Sequence, residues 1–151
     1  MEIISKKNYQ IVSYVENIIN KDVTPSSFKG KDTILLIEDE EVLCRLMKEE
    51  LEEQGYSVIT SGDGEEAVQM YAKQYTAIDI VLSDLGLPTL DGLAVFKKMK
   101  KINPHVKTIV VSGFMEQNEK ELLLQEGIKE CFSKPYCVSE IIQSIRTLLG
   151  A

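Results

Sequence analysis

The chain is poor in the residues that disulfide-rich, zinc-binding and nucleic-acid-binding proteins require. Its 151 residues include one histidine and three cysteines, Cys44, Cys131 and Cys137, without CxxC spacing. Neither a disulfide framework nor a zinc site is therefore predicted. Basic residues number 17 against 24 acidic ones, for a formal net charge of -7. Because non-specific binding of nucleic acid needs clustered lysine and arginine, we expect cations or basic protein surfaces as partners and no nucleic acid.

Long apolar runs are also missing. No run approaches the roughly 18 residues of a membrane span, and Met1–Asn20 lacks the uninterrupted apolar stretch of a signal peptide. We therefore expect no membrane segment and a reducing, cytoplasmic setting. After the last helical pattern the chain ends at Leu149, Gly150 and Ala151 without a basic region or recognition helix, so no DNA-binding output domain is expected.

From Asp32 onward, short β-branched runs alternate with longer helical patterns, which is typical of βαβ units and a parallel sheet. The predicted strands cover 33–38, 57–61, 78–83, 107–112 and 130–133, and the helical patterns begin near Glu41, Glu65, Gly92, Gln117 and Val138. Strands of nearly continuous apolar character need helices on both faces. With a hydrophobic content of 44%, residues 32–151 are predicted to form one doubly wound, three-layer α/β domain.

Residues 1–31 stand apart from this repeat. Apolar residues recur at helical spacing at Ile4, Ile11, Val15, Ile18 and Ile19, and the stretch 24–30 has the composition of a linker. The segment is predicted to be an N-terminal helical extension. Three interpretations stay open: a helix that packs on the domain, a coiled-coil or partner-binding helix, through which the chain could form a homodimer, and the remnant of an upstream domain.

Polar residues follow the predicted strands at their carboxyl ends. Glu38 ends the first strand and Asp39 follows it, Asp84 follows the third, Ser112 ends the fourth and Lys134 follows the fifth. In open α/β sheets these ends meet in one crevice, so the five side chains should converge. Clustered carboxylates repel each other unless a hard cation such as Mg2+ neutralises them. A serine hydroxyl and a lysine ammonium beside that cation suit a phosphoryl group.

These positions resemble the receiver domain of two-component response regulators over about 32–150. The residues that carry the resemblance are Glu38-Asp39, Asp84, Leu87-Pro88, Asp91-Gly92, Ser112 and Lys134-Pro135. The resemblance implies a flavodoxin-like (βα)5 fold with strand order 2-1-3-4-5. It also implies that Asp84 is the phosphoacceptor, Asp39 a direct Mg2+ ligand, Glu38 a water-mediated ligand and the Gly86 carbonyl a backbone ligand, with Ser112 and Lys134 holding the phosphoryl group.

The function that this resemblance implies is a phosphorylation switch. A phosphohistidine of a sensor histidine kinase or phosphotransfer protein would donate the phosphoryl group, and a downstream protein would read the result. Such a chain catalyses only its own phosphorylation and dephosphorylation. It could be a stand-alone receiver or a receiver module of a hybrid histidine kinase.

An alternative is a haloacid-dehalogenase-like Mg2+ phosphatase, which also uses an aspartate nucleophile at a strand end. Such an enzyme would need a second acid two residues after Asp84, where this chain has Gly86. The single histidine, His105, lies in a predicted loop and is not expected to be a phosphodonor.

Two positions depart from the family pattern. Cys131 lies three residues before Lys134, where receivers usually carry a tyrosine or phenylalanine that switches conformation. We expect a small buried residue there, and Phe132 should point to the opposite face of its strand. Glu38 stands where aspartate is commoner, a change that a bridging water can accommodate.

Overall fold

The computed structural model describes residues 32–150, so the predicted N-terminal extension, 1–31, lies outside the described residues. The described strands are β1 (Thr33–Ile37), β2 (Ser57–Ser61), β3 (Ile80–Asp84), β4 (Thr108–Ser112) and β5 (Glu130–Ser133). The helices are α1 (Glu41–Glu53), α2 (Gly64–Gln74), α3 (Gly92–Ile102), α4 (Gln117–Glu126) and α5 (Val138–Leu149), with a 3-10 turn at Tyr75–Ala77.

The five strands form one parallel sheet in the order β2-β1-β3-β4-β5. This arrangement confirms the predicted doubly wound α/β fold and its strand order. Alternate residues of β1 enter different cores: Ile34 and Leu36 pack with α1 and α5, whereas Leu35 and Ile37 pack with α2, α3 and α4. The sheet is therefore covered by helices on both faces.

Two strand boundaries differ from the prediction at the carboxyl ends of the central strands. β1 ends at Ile37, because the chain turns at Glu38, whose Oε1 accepts a hydrogen bond from the Glu40 amide at 3.0 Å. β3 runs to Asp84, which is paired with Val111 of β4. It begins only at Ile80, because Ile78 still donates its amide to Tyr75 of the preceding turn. Asp84 is thus held by the sheet itself.

The helices differ in how much apolar surface they bury. α5 buries Val138, Ile141, Ile142 and Ile145, whereas α4 buries only Leu123. Leu122 of α4 is 60% exposed. Because burial of apolar surface is the main favourable term in folding, α4 is held to the domain more weakly than α5.

Candidate functional site

Three carboxylates converge at the carboxyl end of the sheet, as the sequence predicts. Ile37 of β1 is paired with Ser83 of β3, which brings the next residues of the two strands, Glu38 and Asp84, side by side. Glu38 and Asp84 are buried and Asp39 is exposed. One oxygen from each of Glu38, Asp39 and Asp84 lies within 4.8 Å of the other two.

Lys134 places its ammonium between the two buried acids. Its Nζ lies 2.8 Å from Asp84 Oδ2 and 3.4 Å from Glu38 Oε2, and its side chain is only 8% exposed. Burial acts against the charge of this ammonium, but the carboxylates of Glu38 and Asp84 outweigh it and raise the pKa of Lys134. Lys134 is therefore charged and bound to the site.

A single ammonium does not neutralise the cluster. Burial, followed by the charge of Asp84, raises the pKa of Glu38 from 4.5 to about 8, although Lys134 acts in the opposite direction. At neutral pH the metal-free site therefore favours a proton on Glu38. A cation among these oxygens would replace that proton, because an opposite charge nearby stabilises the ionised carboxylate. Oxygen-only donors within this distance fit Mg2+.

The β3–α3 loop, residues 85–91, contacts the oxygen of Asp84 that Lys134 does not bind. The Gly86 amide donates to Asp84 Oδ1 at 3.0 Å, so the two oxygens of Asp84 have different partners. At the start of α3, a Cβ on Gly92 would lie 2.6 Å from the Asp84 carbonyl oxygen and 2.8 Å from Leu85 Cα. Position 92 therefore requires glycine if α3 is to begin this close to Asp84.

Ser112 ends β4 near the cluster but does not contact it. Its hydroxyl donates to the Phe114 carbonyl at 3.3 Å. The structure thus brings together Glu38, Asp39, Asp84 and Lys134, with Gly86 directly bonded to Asp84, and leaves the Ser112 hydroxyl turned toward the following loop.

Cys131 is buried among the apolar residues under α4, whereas Phe132 packs on the α5 side. The two side chains therefore point to opposite faces of β5, as predicted. Burial raises the pKa of the Cys131 thiol to about 11, so this cysteine is a neutral, small apolar residue at neutral pH.

Sequence reasoning missed two residues beside the site, Asp63 and Thr89. Thr89 Oγ1 donates to Asp63 Oδ1 at 2.7 Å, and the same oxygen accepts from the Glu65 amide at 2.8 Å at the start of α2. Asp63 before a helical pattern is a recognisable N-cap signal. Its bond to Thr89 joins two loops and has no local signature.

The sequence matches the model of the response regulator receiver domain over residues 34–146. The chain belongs to this family. Among its relatives, the polar-differentiation response regulator DivK of Brucella anthropi is 31% identical over 120 residues, which cover 78% of this chain and 96% of DivK. The sensor histidine kinase RcsC of Escherichia coli is 31% identical over 112 residues, or 74% of this chain.

The two relatives differ in how much of their length this receiver spans. The match covers only 12% of RcsC, and about an eighth of the other sensor kinases. A similar solved structure is the receiver domain of sensor histidine kinase PA1611 from Pseudomonas aeruginosa, with a magnesium ion coordinated in its active site cleft. It is 27% identical, with a TM-score of 0.72, and the alignment covers 81% of this chain and 100% of that one.

These findings leave the phosphatase alternative without support. The chain is a receiver domain of two-component signalling, homologous to stand-alone regulators and to receiver modules of sensor kinases. Within the part of the chain that the structure describes, no helix is both long and apolar enough to cross a membrane.

Proposed function

We propose that this receiver accepts a phosphoryl group on Asp84 in a reaction that requires Mg2+, and that the modification acts as a conformational switch. One observation carries the proposal: the Asp84 carboxylate lies 2.8 Å from the Lys134 ammonium and within 4.8 Å of the oxygens of Glu38 and Asp39. A nucleophilic carboxylate thus has an anion-binding group and an oxygen-lined cation site as immediate neighbours.

The residues of the chain can carry out this transfer by position and charge. An oxygen of Asp84 forms a bond to phosphorus while the bond from phosphorus to the imidazole nitrogen of the partner's phosphohistidine breaks, and the electron pair of that bond stays on the imidazole. Lys134 can remain close to Asp84 and hold one phosphoryl oxygen. Ser112 can bind another once its hydroxyl leaves the Phe114 carbonyl, so Ser112 is the group that has to move.

The metal would be held by Asp39, Asp84, the Gly86 carbonyl and, through water, Glu38. The donor set fits, since three carboxylates and one ammonium carry an excess of negative charge when all are ionised. When bound, Mg2+ would add positive charge beside Asp84 and a contact for a phosphoryl oxygen.

The partners follow from this chemistry. A sensor histidine kinase or phosphotransfer protein in the cytoplasm would supply the phosphoryl group, and a downstream protein would bind the altered surface. The chain would turn over no separate metabolite. We further propose that 32–151 form the receiver and that 1–31 are an N-terminal helical extension and linker. The protein would be either a stand-alone receiver like DivK or a receiver module like that of RcsC.

The test is incubation with a small phosphodonor, with Mg2+ or with chelator, followed by intact-mass measurement and peptide mapping. We expect one added phosphoryl group on Asp84 that needs Mg2+ and is absent from Asp84→Asn. Asp32→Asn is the matched control, because Asp32 precedes β1 at the opposite end of the sheet. An adduct of equal yield in Asp84→Asn, or in chelator, would disprove the assignment.

A further inference from the structure

Thr89 has a strained backbone conformation. Its φ is 61°, and among residues 32–150 it is the one residue other than glycine with positive φ. The Leu90 amide donates to the Pro88 carbonyl at 2.7 Å, which closes a three-residue turn around Thr89. Both features are unfavourable, especially for a β-branched residue, and such strain persists only where surrounding contacts enforce it.

The Thr89 side chain is hydrogen-bonded to Asp63. Asp63 Oδ1 accepts from Thr89 Oγ1 at 2.7 Å and from the Glu65 amide at 2.8 Å. The Thr89 bond, followed by the Glu65 bond, lowers the pKa of Asp63, so the acceptor is a charged carboxylate. The carboxylate thus joins the N-terminus of α2 to the β3–α3 loop.

The turn that carries Asp63 also touches the β1–α1 loop. The Glu38 amide donates to the Ser61 carbonyl at 3.0 Å. On the side of the β3–α3 loop, a Cβ on Gly64 would clash with the Leu90 carbonyl oxygen and would lie 2.9 Å from Val95 Cγ2. The turn, Ser61–Gly64, is therefore packed between the loop that carries Glu38 and Asp39 and the loop that carries Gly86.

We infer that Thr89 and Asp63 are positioning residues, whose hydrogen bond fixes the Gly86 loop relative to the acid pair and so sets the affinity for Mg2+. The inference rests on the proposed function, because it takes Gly86 and Asp39 as ligands of one ion. Neither Thr89 nor Asp63 touches the ion. Their hydrogen bond keeps the two loops at the distance at which the Gly86 carbonyl and the Asp39 carboxylate can bind the same ion.

Three variants at position 89 separate the hydroxyl from the strain. Thr89→Val keeps the shape and the β-branch but removes the donor, and should weaken Mg2+ binding by up to about ten-fold, the lower end of the loss found when a direct partner of a metal ligand is removed. Thr89→Ser keeps the donor and should stay within about two-fold of the parent. Thr89→Gly relieves the strained φ but lacks the hydroxyl, so its affinity should fall with that of valine.

The metal-free protein supplies an independent readout. Thr89→Val should speed hydrogen exchange at the Leu90 and Gly92 amides, which bond within the loop, and leave the Tyr56 amide, bonded to Leu51, unchanged. Thr147→Val is the matched control, because Thr147 donates to Gln143 on the exposed side of α5. If Thr89→Val fails to fold, Asp63→Ser serves instead, since serine still caps α2 but is too short to keep the bond.

Calorimetric titration of Mg2+ into the full chain decides the matter. Weak binding by Thr89→Val and Thr89→Gly with near-parent binding by Thr89→Ser supports the inference. Parent-like affinity in Thr89→Val, or equal losses in valine and serine variants, overturns it. If the parent binds no Mg2+, or if Asp39→Ala binds it as tightly as the parent, the proposed function fails instead.

Discussion

The two loops beside Asp84 differ in how firmly they are held. The β3–α3 loop has Leu87 buried in the core, Thr89 bonded to Asp63, and the Gly92 amide donating to Leu85 at 2.8 Å. The β4–α4 segment, residues 113–116, accepts a hydrogen bond of 3.3 Å from the Ser112 hydroxyl at the Phe114 carbonyl. Phe114 itself is 71% exposed. It leads into α4, which buries only Leu123.

This difference separates two tasks at one site. The firmly held loop carries Gly86 and is suited to a metal that needs its ligands in fixed positions. The loosely held segment carries Ser112 and can shift when a phosphoryl group offers its hydroxyl a new acceptor. A ligand changes a conformational equilibrium only by its differential affinity for the two states, so under the proposed function we expect the signal to pass through the segment that follows Ser112.

The largest effects should distinguish the cation side of the site from the anion side. Asp39→Ala removes a proposed direct ligand and should weaken Mg2+ binding by more than about 100-fold, since even indirect partners of metal ligands cost about 10-fold to 100-fold. Lys134→Ala should bind Mg2+ at least as well as the parent, because it removes a competing positive charge, yet respond poorly to phosphorylation. Calorimetric Mg2+ titration of both variants tests this. Equal losses of Mg2+ affinity would contradict the assignment of Asp39 to the cation and Lys134 to the phosphoryl group.

Two glycines test how closely the β3–α3 loop is packed. Gly92→Ala should destabilise the protein by about 2 kcal/mol, because its Cβ would lie 2.6 Å from the Asp84 carbonyl oxygen. Gly86→Ala in the same loop should cost less than about 1 kcal/mol, since its nearest neighbour would be Asp84 Oδ1 at 3.8 Å. Urea denaturation in chelator measures both changes. Similar midpoints for the two variants would show that the loop can shift to accommodate the added methyl group at position 92.

The pH dependence of the free energy of unfolding should reveal the raised pKa of Glu38. The pKa of Glu38 is about 8 in the folded, metal-free protein against 4.5 ordinarily, so between these values the folded state holds a proton that the unfolded state has lost. The contribution of Glu38 to the free energy of unfolding has its full value below pH 4.5 and is lost as the pH rises toward 8. The free energy of unfolding should fall by up to about 1.4 kcal/mol per pH unit.

Glu38→Gln is the control for that slope, because it cannot ionise. Denaturant unfolding of both proteins at pH 5 to 8 should show their stabilities diverging in chelator, with the glutamine variant favoured at the higher pH. Mg2+ should reduce the divergence. Parallel curves would show that Glu38 is ionised in the metal-free fold.

The smallest stability effect should come from the loosely held segment. Phe114→Ala should change the free energy of unfolding by less than about 0.5 kcal/mol, because the ring is largely exposed. Amide shifts with and without a phosphoryl mimic on Asp84 should nevertheless concentrate at Ser112–Met115 and α4. A response centred on Glu130–Phe132 instead would show that β5 switches even with the small, buried Cys131 in place of a ring.

Much of the fold and most of the site follow from the sequence alone. Strand periodicity and the turn into each helix are local, so the alternation from Thr33 onward specifies five βα units. Parallel strands must place their carboxyl ends together, so the sequence alone assigns Glu38, Asp39, Asp84 and Lys134 to one site. A glycine directly after a helical pattern is also a local signal for a helix C-cap, and Gly127 after α4 has the left-handed φ of 116° that such a cap requires.

The tertiary structure alone decided what depends on packing between distant segments. The Lys134 bridge to Glu38 spans 96 residues of sequence and the Thr89 bond to Asp63 spans 26. The raised pKa of Glu38 arises from burial, and the direction of the Ser112 hydroxyl from its neighbour in the following loop. Periodicity along a chain says which residues share a face, whereas desolvation, hydrogen-bond partners and backbone strain depend on what another segment places against that face.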